Sequence, residues 1–140
     1  MSALFWLAIG AVLGALFASY ARSKRVRANR VFGIGLFVAG LIYVAFVTRS
    51  PEWQFWAAVE SAGLVFFGIL GIAGVEGNAW WLVAGWGLHP LWDVGLHYLG
   101  AGVHFVPEWY SVGCVSFDLV VASYVVRSKA LSYGQEPLPD

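Results

Sequence analysis

A chain of 140 residues that is 60% hydrophobic and only 11% charged carries more apolar surface than a small water-soluble domain can bury. Its formal net charge is zero, which removes any global attraction to nucleic acid. The lone Cys114 excludes an intrachain disulfide.

Five apolar segments follow one another: Ala3 to Tyr20, Val31 to Val47, Trp53 to Ala73, Ala79 to about Leu99, and about Pro107 to Val126. Each approaches the ~20 residues that a helix needs to cross ~30 Å of hydrocarbon. Helix is the expected form, because lipid offers no hydrogen bonds to stray backbone groups. The sequence therefore predicts an all-α, polytopic membrane helix bundle with five transmembrane helices. Residues 1–133 form one domain, and 134–140, with Pro137 and Pro139, form a disordered cytoplasmic tail. Met1 to Gly10 has no basic residue, so the first segment reads as a retained helix rather than a signal peptide.

Seven of the eight basic residues fall in two clusters, Arg22, Lys24, Arg25, Arg27 and Arg30, then Arg127 and Lys129; only Arg49 lies elsewhere. Five spans place both clusters on one side, which the positive-inside rule makes cytoplasmic, with the N-terminus outside. The expected location is the inner membrane of a bacterium. Trp53, Trp56, Trp80, Trp81 and Trp109 sit near predicted span ends, where amphipathic rings favour the headgroup zone. In the first segment Gly10 and Gly14 form a G-x-x-x-G pattern, which allows close helix approach either within the chain or between copies in a homo-oligomer.

Polar residues inside these segments are few. The third holds Glu60; the fourth holds His89, Asp93 and His97 at four-residue steps; the fifth holds Ser111, Cys114 and Asp118 on one helical face. Glu76, His104 and Glu108 lie near water and read as interface residues. At a rise of ~1.5 Å per residue, Glu60 lies ~11 Å from the outer end of its segment, His97 ~3 Å, Asp93 ~9 Å, His89 ~15 Å and Asp118 ~16 Å. Two tiers are predicted: Glu60 and Asp93 below His97, and His89 with Asp118 near the middle. Pro90 removes a backbone donor and predicts a kink near Trp86 to His89. Gly85, Gly87 and Gly95 remove bulk beside it, so a cavity is expected there, open toward the outer leaflet and lined by Trp86, Trp92, Ser111 and Cys114.

Imidazole and carboxylate suit a divalent zinc or iron ion, and His89, Asp93, His97 and Asp118 are the candidate ligands. His89 and His97 are ~12 Å apart along a straight helix, so one of them would join Asp93 and Asp118. The same residues, with Glu60 assisting, are candidates for acid–base catalysis without a metal. Three functions stay open. The first is an intramembrane enzyme acting on a lipid-like or isoprenoid substrate admitted past Trp86, Trp92 and Phe105, by metal-assisted hydrolysis or by proton-transfer isomerisation or cyclisation. The others are a proton, ion or small-solute transporter, and a non-catalytic protein whose buried polar groups tie helices together or bind a partner. Membrane lipids are the expected partners and nucleic acid is not.

The pattern Gly85-Trp86-Gly87-Leu88-His89, Trp92-Asp93 and His97, followed by Val106-Pro107, Ser111, Gly113-Cys114, Asp118 and Ala122, resembles a small bacterial integral membrane protein family of unknown function. The resemblance covers about forty residues of the second half; the first half matches in hydropathy. That family often has a second cysteine before the aspartate and paired histidines near His97, where this chain has Phe117 and Leu96. The difference speaks against a cysteine-based metal site. The resemblance implies an integral membrane protein with a shared polar motif, and no particular reaction.

Overall fold

A computed structural model describes residues 2–24 and 27–133 of the chain. Five α-helices make up the fold: α1 Ala3–Ser23, α2 Ala28–Phe46, α3 Trp53–Glu76, α4 Trp80–Trp92 and α5 Glu108–Tyr133. The expected tail 134–140 lies outside the described residues, as does Arg25 of the first basic cluster. Four helical stretches, Ala3–Ser23, Ala28–Arg49, Trp53–Glu76 and Glu108–Lys129, are long and apolar enough to cross a membrane. The fourth predicted segment is built differently. It consists of α4, 13 residues long, continued by a six-residue π-helix over Asp93–Tyr98.

Local chemistry sets the boundaries. Ser50 is extended, at φ −88° and ψ 137°, because Pro51 disfavours the helical region for the residue before it. Asn78 Oδ1 accepts the Trp80 N–H at 3.0 Å, satisfying one of the free donors that open α4. Pro90 lies within α4, and the helix continues through it to Trp92. The helix is not interrupted at the place where Pro90 predicts a kink. The irregular winding begins at Asp93, where the Leu99 N–H reaches back five residues to the Val94 carbonyl at 2.9 Å.

In the packing, α1 lies on α5, α2 lies on α3, and α4 is enclosed by α3 and α5 with a lighter contact to α2. Gly10 and Gly14 set the first of these crossings. A Cβ on Gly10 would run into the Gly113 carbonyl, and one on Gly14 would lie 2.8 Å from the Phe117 carbonyl. Ser116 of α5 donates to the Leu7 carbonyl of α1 at 2.7 Å across the same seam. This face is therefore packed within the chain, the first of the two alternatives for Gly10 and Gly14. Large apolar side chains instead point outward from every helix, among them Leu16, Ile34, Ile69, Leu91 and Leu119. A contiguous apolar exterior of this kind belongs in lipid.

Trp53, Trp80, Trp81 and Trp109 are about half exposed, as rings at an interface would be. Trp56 is not; it is buried with Tyr43, Val47, Phe105 and Val106 in the second of two apolar clusters. The larger cluster centres on Leu36, Phe67, Leu82, Trp86 and Val121.

Candidate functional site

Glu60, His89, Asp93, His97 and Asp118 are all buried, each at 2% exposure or less. They come from α3, α4, its π-helical continuation and α5, and they fall into two groups.

The deeper group joins α4 to α5. His89 Nδ1 lies 3.0 Å from Asp118 Oδ2 in a hydrogen bond. The same nitrogen lies 3.3 Å from Asp93 Oδ1, within ion-pair distance but too poorly aligned for a hydrogen bond. One ligand atom from each of His89, Asp93 and Asp118 lies within 4.8 Å of the other two. Neither oxygen of Asp93 makes a well-aligned hydrogen bond among the described residues, although His89 and the Tyr43 hydroxyl lie beside it. A buried carboxylate without well-aligned partners is costly in an apolar interior, so two such oxygens facing an imidazole are what a cation-binding cluster would present.

The outer group joins α3 to α4. His97 Nε2 lies 3.2 Å from Glu60 Oε1. The other oxygen of Glu60 accepts the Trp92 indole N–H at 3.3 Å. Gly63 makes that contact possible, because a Cβ there would lie 2.7 Å from the Trp92 ring. Gly102 does the same for His97, since a Cβ there would lie 2.5 Å from His97 Nδ1.

The division differs from the two tiers expected from depth alone. Asp93 belongs with His89 and Asp118, not with Glu60, because a four-residue step on α4 puts it on the face of His89. His97 belongs with Glu60 and lies outside the three-residue cluster, so of the two histidines it is His89 that stands with Asp93 and Asp118. In an unbroken α-helix His97 would stand ~80° around the axis from His89, eight residues at ~100° each. The wider i→i+5 winding turns less per residue and brings His97 back toward the interior.

A cavity of about 390 Å³ adjoins the deeper group. Its walls are Ile9, Leu13 and Phe17 of α1, Val38 and Ile42 of α2, and Phe117 of α5. Trp86, Tyr110, Cys114 and Asp118 line it as well, so one carboxylate of the cluster faces an otherwise apolar space. Trp86 and Cys114 are where the sequence predicts them. Trp92, Ser111 and Phe105 are not in the lining. Trp92 is committed to Glu60; buried Ser111 donates to the Glu108 carbonyl of its own helix; Phe105 packs on Trp56 and His97. The space lies against α1 because α1 touches α2 lightly, whereas Gly85 lets α4 close tightly on Leu36.

Tyr43 was not legible as a site residue. Its ring stacks on His97 at 4.5 Å and stands 5.9 Å from His89, between the two groups. A single hydroxyl inside an otherwise apolar second segment is the signal that points to it. His104 is exposed and pairs with Ser50 at 2.9 Å, as expected for an interface residue.

The model of a family of unknown function, DUF6010, matches residues 1–131, so the match takes in the first half as well as the polar motif of the second. No curated protein and no solved structure matches the chain.

Proposed function

The chain belongs to that family of unknown function, and from its own site we propose that it is an intramembrane enzyme acting on a lipid-like substrate. The observation that carries this reading is the apolar cavity that ends on Asp118, one of three converging ligand groups. An apolar cavity with a small number of convergent polar groups is the usual form of a small-molecule site, and 390 Å³ is within the ordinary range.

In this reading the protein crosses the inner membrane of a bacterium five times, with the N-terminus outside. α4 and the π-helix together form the fourth crossing, and the clusters at Arg22 and Arg127 face the cytoplasm. The apolar tail of the substrate enters from the lipid between α1 and α2, and its head meets the cluster. His89, Asp93 and Asp118 hold a divalent ion, zinc or iron, for which one nitrogen and two oxygens are a fitting donor set. Three protein ligands leave room for a substrate, and the ion would supply Lewis-acid polarisation of an oxygen in the head group. The burial of the cluster excludes bulk water and strengthens each electrostatic contact within it.

The outer group fits a second role, tying helices together. Glu60 accepts a hydrogen bond from Trp92 of α4 and lies within ion-pair distance of His97 in the π-helix, without a well-aligned bond to it, and none of the three lines the cavity.

Elemental analysis of the detergent-purified protein tests the reading. Stoichiometric zinc or iron, lost in Asp93→Ala and in Asp118→Ala but kept in His97→Gln, is the expected result. Wild-type protein that binds no divalent ion and retains no lipid leaves the helix tie as the role of both groups. A proton flux in liposomes that Asp118→Asn abolishes indicates transport instead.

A further inference from the structure

The phenol of Tyr43 is a buried polar group to which the cluster assigns no role. It is 1% exposed, and its hydroxyl makes no well-aligned hydrogen bond among the described residues, although the Asp93 carboxylate lies within reach. Its position is set by ring contacts instead. It stacks on His97 with an interplanar angle of 18°, and it meets Tyr110 edge-on at 5.3 Å. These contacts bring the hydroxyl beside Asp93 and Cys114. Asp93 belongs to the ligand cluster, while Tyr110 and Cys114 line the cavity. Tyr43 itself is not in the cavity wall, but its hydroxyl neighbours two residues that are and one residue of the cluster. A buried hydroxyl without a well-aligned partner is unfavourable, and more so where the surroundings are lipid rather than water. One held by stacking, with no well-aligned acceptor, can turn its donor to a ligand that enters beside Asp93.

We propose that Tyr43 is a hydrogen-bond donor to the substrate head, and that the head is a neutral oxygen acceptor at the end of an apolar chain, such as a fatty acyl ester. This rests on the reading of His89, Asp93 and Asp118 as a cation site at the end of a lipid cavity. Charge decides for a donor rather than a fourth anionic ligand. Two aspartates already balance a divalent ion, and a third negative oxygen would leave a buried cluster with net charge. A neutral hydroxyl adds direction without charge, at a point where negative charge on the head oxygen can be stabilised.

The test uses cobalt(II)-loaded protein in detergent, with dodecanohydroxamic acid as the probe, since its head chelates the ion and its tail fits an apolar cavity. In the wild type the cobalt absorption bands should shift as the probe binds. In Tyr43→Phe the cobalt content and the bands before addition should be unchanged, and the dissociation constant of the probe should rise ~10-fold or more. Fluorotyrosine at position 43, a stronger donor, should tighten binding instead, which keeps the test decisive if the phenylalanine variant does not fold. Unchanged probe affinity in both variants overturns the proposal. So does cobalt lost from Tyr43→Phe, which would make Tyr43 a ligand or scaffold. Wild-type protein that takes up no cobalt fails one step earlier, and brings down the cation site together with this inference.

Discussion

Nδ1 of His89 and Oδ2 of Asp118 meet at 3.0 Å across the interface of α4 and α5, with both side chains 1% exposed. The pair has two consequences that can be separated, one for folding and one for ion binding. Asp118→Leu should destabilise the protein by ~3 kcal/mol, because a buried polar group loses its partner. Asp118→Asn keeps a hydrogen-bonding group in the same volume, so it should melt close to the ion-free wild type yet bind no ion. Thermal unfolding in detergent, read beside elemental analysis, checks both. If Asp118→Asn retains the ion, Asp118 is not a ligand.

The outer group should behave as a tie. Trp92→Phe removes the indole N–H that Glu60 accepts at 3.3 Å while keeping an aromatic ring. The expected loss is ~1–3 kcal/mol, with ion content unchanged. Loss of the ion in this variant would mean that the two groups act as one site.

Glycine positions give a graded series. Gly63→Ala places a methyl 2.7 Å from the Trp92 ring and should cost ~1–3 kcal/mol through overpacking. Gly10→Val should cost at least as much, since its Cβ meets the Gly113 backbone, which cannot swing aside as a ring can. Gly87→Ala meets nothing within 4 Å and should be neutral or stabilising by up to ~1 kcal/mol. The order Gly87, then Gly63, then Gly10 in thermal stability is the result to look for, and a destabilised Gly87→Ala would contradict the packing described.

Filling the cavity should separate lipid binding from ion binding. Ala39 lies in the wall on α2, and Ala39→Trp adds bulk to the cavity there. Lipid that co-purifies with the wild type, measured by mass spectrometry, should fall several-fold while ion content stays constant. Equal lipid in both proteins would place the lipid site elsewhere.

Excess divalent ion should raise the melting temperature. A ligand at 100 times its dissociation constant stabilises the folded state by ~2.7 kcal/mol. The gain should vanish in Asp93→Ala and persist in His97→Gln. A shift of equal size in Asp93→Ala would show that the ion acts away from the cluster.

Much of this protein was legible before folding. Segment ends near Ala3, Trp53, Ala79 and Pro107 coincide with observed helix ends, because a chain in oil must satisfy its backbone internally and needs about the same length each time. The inward placement of Glu60, His89, Asp93, His97 and Asp118 follows from the same cost, since an ionisable group cannot be left facing acyl chains. Which carboxylate meets which histidine was decided only in three dimensions. Depth placed Asp93 beside Glu60, but helical rotation placed it beside His89, and the π-helical winding after Trp92 turned His97 toward Glu60. The cavity against α1 and the station of Tyr43 between the two groups depend on how closely glycines let particular helices approach. Spacing along one strand of sequence fixes height and the face of a single helix; the neighbour that face meets is set by packing among all of them.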